Sequence, residues 1–189
     1  MPVLFHIKNM VCDRCKMVVQ DSFKKVGAQV VSTELGEIQI VENLNPSQLE
    51  ELDILLKHHG FELLDDRQSR IVEKIKNTVI ELIHNLQPEH FKGNFSYYLS
   101  EKLNRDYSGL STLFSVHEGS TIEQYIIRQK IERVKALLMY DEQSLSQIAD
   151  ELQYSSVAHL SNQFKKVTGL TPTQFKQSSA KNRLSLDHV

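Results

Sequence analysis

The C-terminal part of the sequence repeats itself at a spacing of 50 residues: Leu110, Phe114, Gly119, Thr121 and Tyr125 recur as Leu160, Phe164, Gly169, Thr171 and Phe175. Upstream, Leu99 and Leu103 recur as Ile148 and Leu152 with a one-residue offset that falls in a turn, where a change of length is tolerated. Self-similarity at a fixed spacing marks one supersecondary unit used twice. Each copy reads as helix, turn, helix, glycine stop and a newly capped helix. Thr121-Ile122-Glu123-Gln124 and Thr171-Pro172-Thr173-Gln174 both set a threonine three residues before a glutamine, the spacing of a reciprocal capping box. Each box follows a glycine, Gly119 or Gly169, of the kind that ends a helix. Two helix-turn-helix units are the economical reading.

In the second unit Ser144 to Leu152 forms the first helix and Ser156 to Thr168 the second, with Ala149 small where the two must cross. Leu160 and Phe164, four apart, face inward and leave Ala158, His159, Ser161, Asn162 and Lys165 outward. The same alignment exposes Ser108, Ser111 and Thr112 in the first unit. A helix presented in this way fits the DNA major groove, although outward serines and threonines also suit a protein–protein module. The units are joined by Ile122 to Met139, an amphipathic helix about 27 Å long at the standard rise. Such a connector can hold two recognition helices about one duplex turn, ~34 Å, apart.

Over about residues 70 to 177 the chain resembles the AraC family of bacterial transcription regulators. The resemblance is carried by Ile122-Glu123-Gln124-Tyr125-Ile126-Ile127-Arg128-Gln129-Lys130-Ile131-Glu132-Arg133-Val134-Lys135-Ala136-Leu137-Leu138, by Leu145-Ser146-Gln147-Ile148-Ala149, and by Tyr154 through Phe164-Lys165-Lys166-Val167-Thr168-Gly169-Leu170-Thr171-Pro172. It implies base contacts from Ser108, Ser111 and Thr112 in one recognition helix and from Ala158, His159, Ser161 and Asn162 in the other. Family members often carry arginine where this chain has Thr112 and Asn162, so a bidentate guanine contact is replaced, with Asn162 suited to adenine. Lys165, Lys166, Arg128 and Lys130 are candidate phosphate or scaffold residues.

Charge supports this division weakly. Residues 1–66 carry 6 Lys/Arg against 11 Asp/Glu, whereas residues 67–189 carry 16 against 13. Within 1–66 the hydrophobic period changes repeatedly. Val3, Phe5 and Ile7 alternate as in a half-buried strand with His6 on its outer face, and Val18/Val19, Ser22/Phe23 and Val26 then follow helical spacing. Gln29–Leu35 and Glu37–Val41 read as strands turned at Gly36, Asn45-Pro46-Ser47-Gln48 opens a helix ending near Gly60, and Phe61–Leu64 is a last short strand. The expected fold is α+β, a ferredoxin-like βαββαβ unit over 1–66, followed by an all-α double helix-turn-helix domain over 70–180. The latter opens with the stripe Ile71, Ile75, Val79, Leu82/Ile83, Leu86. The junction Asp65 to Arg70 has no Gly/Ser-rich linker, which favours rigid coupling.

The two cysteines, Cys12 and Cys15, are too close in sequence for a structural crosslink to contribute much. Metal binding and thiol chemistry remain, beside a fold that merely retains idle thiols; the lack of tryptophan beside the pair fits a thioredoxin-like role poorly. Cys15 at a helix N-terminus is expected to have a lowered thiol pKa. Two thiolates suit a soft ion of low coordination number such as Cu(I), whereas zinc asks for four ligands. Met10-Val11-Cys12-Asp13-Arg14-Cys15 after the first strand resembles the heavy-metal-associated domains of copper chaperones and metal-transporting ATPases over residues 2–66. That resemblance implies Cys12 and Cys15 as ligands, Met10 packed beneath the loop, and Phe61 near the site. It also shows a departure, Asn9 where a glycine is usual. His6, His58 and His59 read as surface or capping residues.

The expected function is a cytoplasmic, metal-responsive transcription regulator that binds duplex operator DNA, with RNA polymerase and a second copy of the chain as further candidate partners and no membrane. The alternative is a constitutive regulator whose N-terminal half serves dimerisation or docking. No triad, phosphate-binding glycine loop or carboxylate pair stands in a plausible context, so no enzymatic activity is expected.

Overall fold

Phe5, Ile7, Ile38 and Ile40 share the covered side of a small antiparallel sheet, and α-helices supply the cover. The computed structural model describes residues 2–64, 66–85, 94–140, 143–178, 184, 186–187 and 189. The N-terminal elements run β1 (Val3–Lys8), α1 (Asp13–Lys25), β2 (Val30–Glu34), β3 (Glu37–Ile40), α2 (Pro46–His58) and β4 (Glu62–Leu63), the order expected from the sequence. The sheet order is β2-β3-β1-β4, with every neighbouring pair antiparallel. Two α-helices therefore return the chain so that β1 lies between β3 and β4. The expected Asn45–Gln48 capping box is formed, and Gln48 Nε2 also donates to the Val26 carbonyl at 2.8 Å, tying the start of α2 to the end of α1. Met10, Val19, Phe23, Leu52 and Leu56 complete this core.

The helical half comprises α3 (Arg67–Ile80) continued by a π-helical turn (Glu81–Asn85), then α4 (Phe95–Leu103), α5 (Tyr107–Glu118), α6 (Ile122–Tyr140), α7 (Leu145–Glu151), α8 (Val157–Thr168) and α9 (Pro172–Gln177). The repeat read from the sequence is a repeat of packing. Phe114 meets Tyr125 at a ring separation of 5.5 Å and Phe164 meets Phe175 at the same 5.5 Å, with Leu110 and Leu160 buried beside them. Leu99, Ile148 and Leu152 join the same core. Both capping boxes form: Gln124 N–H donates to Thr121 Oγ1 at 3.2 Å and Gln174 N–H to Thr171 Oγ1 at 3.2 Å, while each glutamine carbonyl accepts from the threonine N–H. Gly119 and Gly169 end α5 and α8 in the left-handed conformation.

Helix α3 departs from expectation. A single apolar stripe was expected, and Val72, Ile75, Val79 and Ile83 do join the helical core, but Glu73, Lys76, Asn77 and Thr78 are buried as well. Glu73 and Asn77 are covered by the sheet half, which packs on a second side of α3, whereas Lys76 stands 3.7 Å from Glu118 of α5. Lys74 Nζ lies 2.7 Å from Glu37 Oε1, and a Cβ on Gly36 would sit 2.6 Å from Asn77 Nδ2. The polar side of an amphipathic helix is here an interface. The same docking alters His6, read from the sequence as a surface residue: it is half-buried, 3.3 Å from Glu37, and burial with the nearby cations Arg70 and Lys74 outweighs Glu37 to lower its pKa. Leu86 of the expected stripe and Asp65 of the junction lie outside the described residues. Among the described residues no helix is long and apolar enough to cross a membrane.

Candidate nucleic-acid interface and thiol loop

α5 and α8 occupy equivalent positions in the two units, so their outward residues can be compared pairwise at the spacing of 50: Ser108 with Ala158, Ser111 with Ser161, Thr112 with Asn162, Ser115 with Lys165 and Val116 with Lys166. Ser108, Thr112, Ala158, His159, Asn162, Lys165 and Lys166 are exposed, whereas Ser111 and Ser161 are half-buried. The two surfaces differ in chemistry. α8 ends in a pair of lysines, while α5 contains no lysine or arginine and presents Val116 at 77% exposure.

Local bonds pre-set several of these side chains. Asp106 caps α5 by accepting from Ser108 N–H at 3.0 Å, and it also takes the Ser108 hydroxyl, which is therefore committed to the cap. Ser156 caps α8 by accepting from His159 N–H at 3.1 Å. The His159 ring stands edge-on to Tyr154 at 5.3 Å, and its Nδ1 lies 3.0 Å from Ser155 Oγ. His159 is thus held at the start of α8 rather than free to swing.

The sequence left Arg128 and Lys130 open between phosphate contact and scaffold, and the structure places both in the scaffold. Arg128 donates to Ser120 Oγ at 2.9 Å. Lys130 Nζ donates to the Leu152 carbonyl at 2.7 Å and sits over the rings of Phe95 and Tyr154 at 5.4 and 5.3 Å, and burial lowers its pKa. Sequence reasoning missed two cations near α5. Arg67 and Arg105, with Ile71 and Leu113, line a cleft of about 490 Å³ beside Asp106 and Gly109 at the start of that helix. Arg67 is remote in sequence and reaches this place only because α3 packs on α5, so no local pattern could have found it.

In the other half, the loop from Asn9 to Cys12 leads into α1. Asn9 adopts φ +67°, the left-handed region that asparagine tolerates best among residues with a side chain. This accounts for its standing where a glycine is usual. Its side-chain amide donates to the Gly60 carbonyl at 2.9 Å, and its backbone N–H donates to Glu73 Oε1 at 2.7 Å. Met10 and Val11 are buried, Met10 completely, and Phe61 packs in the same cluster. Cys12 is the N-cap of α1, and the two sulfurs are 3.3 Å apart, both half-buried.

One expectation for this loop is corrected. Burial pushes the Cys15 thiol up, and the backbone hydrogen bond at Val11 only partly offsets it. A thiol on the inner side of the loop loses water, which a helix terminus does not restore. Among the described residues no set of three or more His, Cys, Asp or Glu converges in a metal-holding arrangement. His58 and His59, at the end of α2, contact one another at a ring separation of 5.1 Å.

Residues 99–178 match the family model described as a helix-turn-helix domain. Over 148 residues the chain is 27% identical to the probable transcriptional regulator LumQ of Photobacterium leiognathi, covering 78% of this chain and 57% of that protein. It is 35% identical over 77 residues to the uncharacterized transcriptional regulatory protein YesN of Bacillus subtilis (strain 168), covering 40% of this chain and 20% of that one. The chain thus spans little more than half the length of the first of these relatives and a fifth of the second. Among solved structures it is similar in fold to the C-terminal domain of AraT, a response regulator from Geobacillus stearothermophilus, with a TM-score of 0.50, 22% identity and coverage of 64% of this chain and 92% of that one. The helical half thus matches a helix-turn-helix domain and is similar to transcriptional regulators.

Proposed function

We propose that the protein is a sequence-specific, AraC-type transcription regulator that enters two successive major grooves of duplex DNA with α5 and α8. The observation that carries this reading is the duplicated packing: two outward helices, each backed by an equivalent aromatic pair and followed by the same capping box, in units joined by one connector helix. At 19 residues α6 is about 28 Å long, matched to the ~34 Å between successive turns of one groove face. In this reading the exposed Thr112, Asn162, Ala158 and His159 meet base edges, with the half-buried Ser111 and Ser161 at the margins. Lys165 and Lys166 supply phosphate contacts at α8, and Arg67 and Arg105 supply them near α5. The test is fluorescence anisotropy on fragments selected in vitro by the full chain. Tight binding that survives ~200 mM salt and is lost on a scrambled fragment supports the reading, and equal, salt-labile binding to both overturns it.

The N-terminal half is read as a ferredoxin-like unit of heavy-metal-associated type that binds a soft ion such as Cu(I) through Cys12 and Cys15 and thereby alters operator affinity. The donor chemistry fits: two thiols 3.3 Å apart, with a buried methionine beneath them, suit a soft ion of low coordination number. A Cu(I) titration against a chromophoric chelator tests the site. Stoichiometric uptake by the wild type and none by Cys12→Ser/Cys15→Ser is expected. Operator affinity unchanged by Cu(I) in both proteins overturns metal control and leaves a constitutive regulator whose N-terminal half docks or dimerises.

A further inference from the structure

Between the thiol loop and the first recognition helix runs a polar path, buried at its centre, that neither the duplicated helices nor the cysteine pair requires. It starts at Asn9, the residue before Met10. That residue is fixed three times over, by its left-handed backbone, by its side-chain bond to Gly60 and by its N–H on Glu73. Glu73 is only 5% exposed. A carboxylate is costly to bury unless its bonds are good, and here the bond that Glu73 accepts from Asn9 crosses 64 residues of sequence, from one half of the molecule to the other. Lys76 lies one turn along α3, also buried, and its charge acts on Glu73 while its Nζ stands 3.7 Å from Glu118 Oε2. Glu118 is the last residue of α5.

We infer that Glu73 is the positioning residue that couples the Cys12/Cys15 loop to α5. Met10 and Val11 are packed and cannot yield independently of their neighbours, so a rearrangement that brings both sulfurs onto one ion is felt at the adjoining Asn9 N–H. A change at that N–H is a change in the partner of a buried charge, which Lys76 and Glu118 share at the foot of α5. Regulation needs one element whose arrangement both ligands bias, and α3, clamped between the halves, holds that place. This inference rests on the metal reading above.

The experiment uses the full chain and a selected operator fragment, measuring DNA affinity with and without one equivalent of chelator-buffered Cu(I), and Cu(I) affinity on and off DNA. The wild type is expected to show the same factor both ways, about 5-fold or more. Glu73→Gln keeps an acceptor for the Asn9 N–H but removes the charge that Lys76 answers, so its factor is expected to fall between that of the wild type and one. In Glu73→Ala the factor falls to about one while Cu(I) uptake and metal-free operator binding persist, which a general loss of structure would not produce. A wild-type factor of one overturns metal control, and this inference with it. A wild-type factor well above one that survives in Glu73→Ala overturns the role of Glu73 and leaves metal control standing.

Discussion

Lysines that look alike in this sequence do different work, and the difference lies in what surrounds each ammonium. Lys130 is enclosed by a carbonyl and two aromatic faces, whereas Lys165 and Lys166 stand exposed on α8. Lys130→Met is therefore expected to destabilise the fold by about 1–3 kcal/mol, by leaving the Leu152 carbonyl without that donor and removing two cation–π contacts. Urea unfolding measures the loss, and the salt dependence of DNA affinity should stay as in the wild type. Lys165→Ala or Lys166→Ala should do the reverse, leaving unfolding unchanged and reducing the slope of log affinity against log salt by about 1 each. A second contrast concerns Gly36, where φ is +80° and Asn77 Nδ2 crowds the missing Cβ. Gly36→Ala is expected to cost about 1–2 kcal/mol from backbone strain alone. Adding Asn77→Ala should recover only the part due to crowding, read from a double-mutant cycle by thermal unfolding.

Elements whose ends are written in local chemistry were legible from the sequence. Thr121, Thr171 and Asn45 each stand three residues before a glutamine, and all three boxes form. Gly119 and Gly169 stop their helices as read. Thr121→Ala and Thr171→Ala should each cost about 0.5–2 kcal/mol, and by similar amounts, since the two caps share one geometry. What escaped the reading depends on neighbours distant in sequence. Glu73, Lys76 and Asn77 follow the spacing of a solvated helix face, and nothing local distinguishes that from a face covered by elements distant in sequence. Ser108 was legible as outward, but not as a side chain already bonded to Asp106. Cys15 was legible as a helix-start thiol, but its burial is set by the whole N-terminal core.

For the whole molecule, the buried contact between the halves makes stability depend on pH. Burial raises the Glu73 pKa more than Lys76 and the Asn9 N–H lower it. A carboxyl whose folded pKa exceeds its unfolded value binds protons more tightly when folded, so its contribution is present at low pH and is lost as pH rises from the unfolded value through the folded one. Glu73→Gln, which does not titrate, should gain stability relative to the wild type as pH rises across that window. Chemical unfolding at pH 4 to 8 measures the difference, and a constant offset across that range would count against the buried carboxylate as its source.

The unequal surfaces of α5 and α8 carry a consequence for the geometry of a bound site. A symmetric dimer presents the same helix twice about a two-fold axis and reads a palindrome, which looks identical from either end. Here the two outward helices lie in one chain in fixed order, the first rich in hydroxyls with an exposed valine, the second carrying a histidine, an asparagine and two lysines. A bound chain would have a front and a back. Its site would be a tandem pair of dissimilar boxes, and inverting that site would turn the N-terminal half to face the opposite way along the duplex.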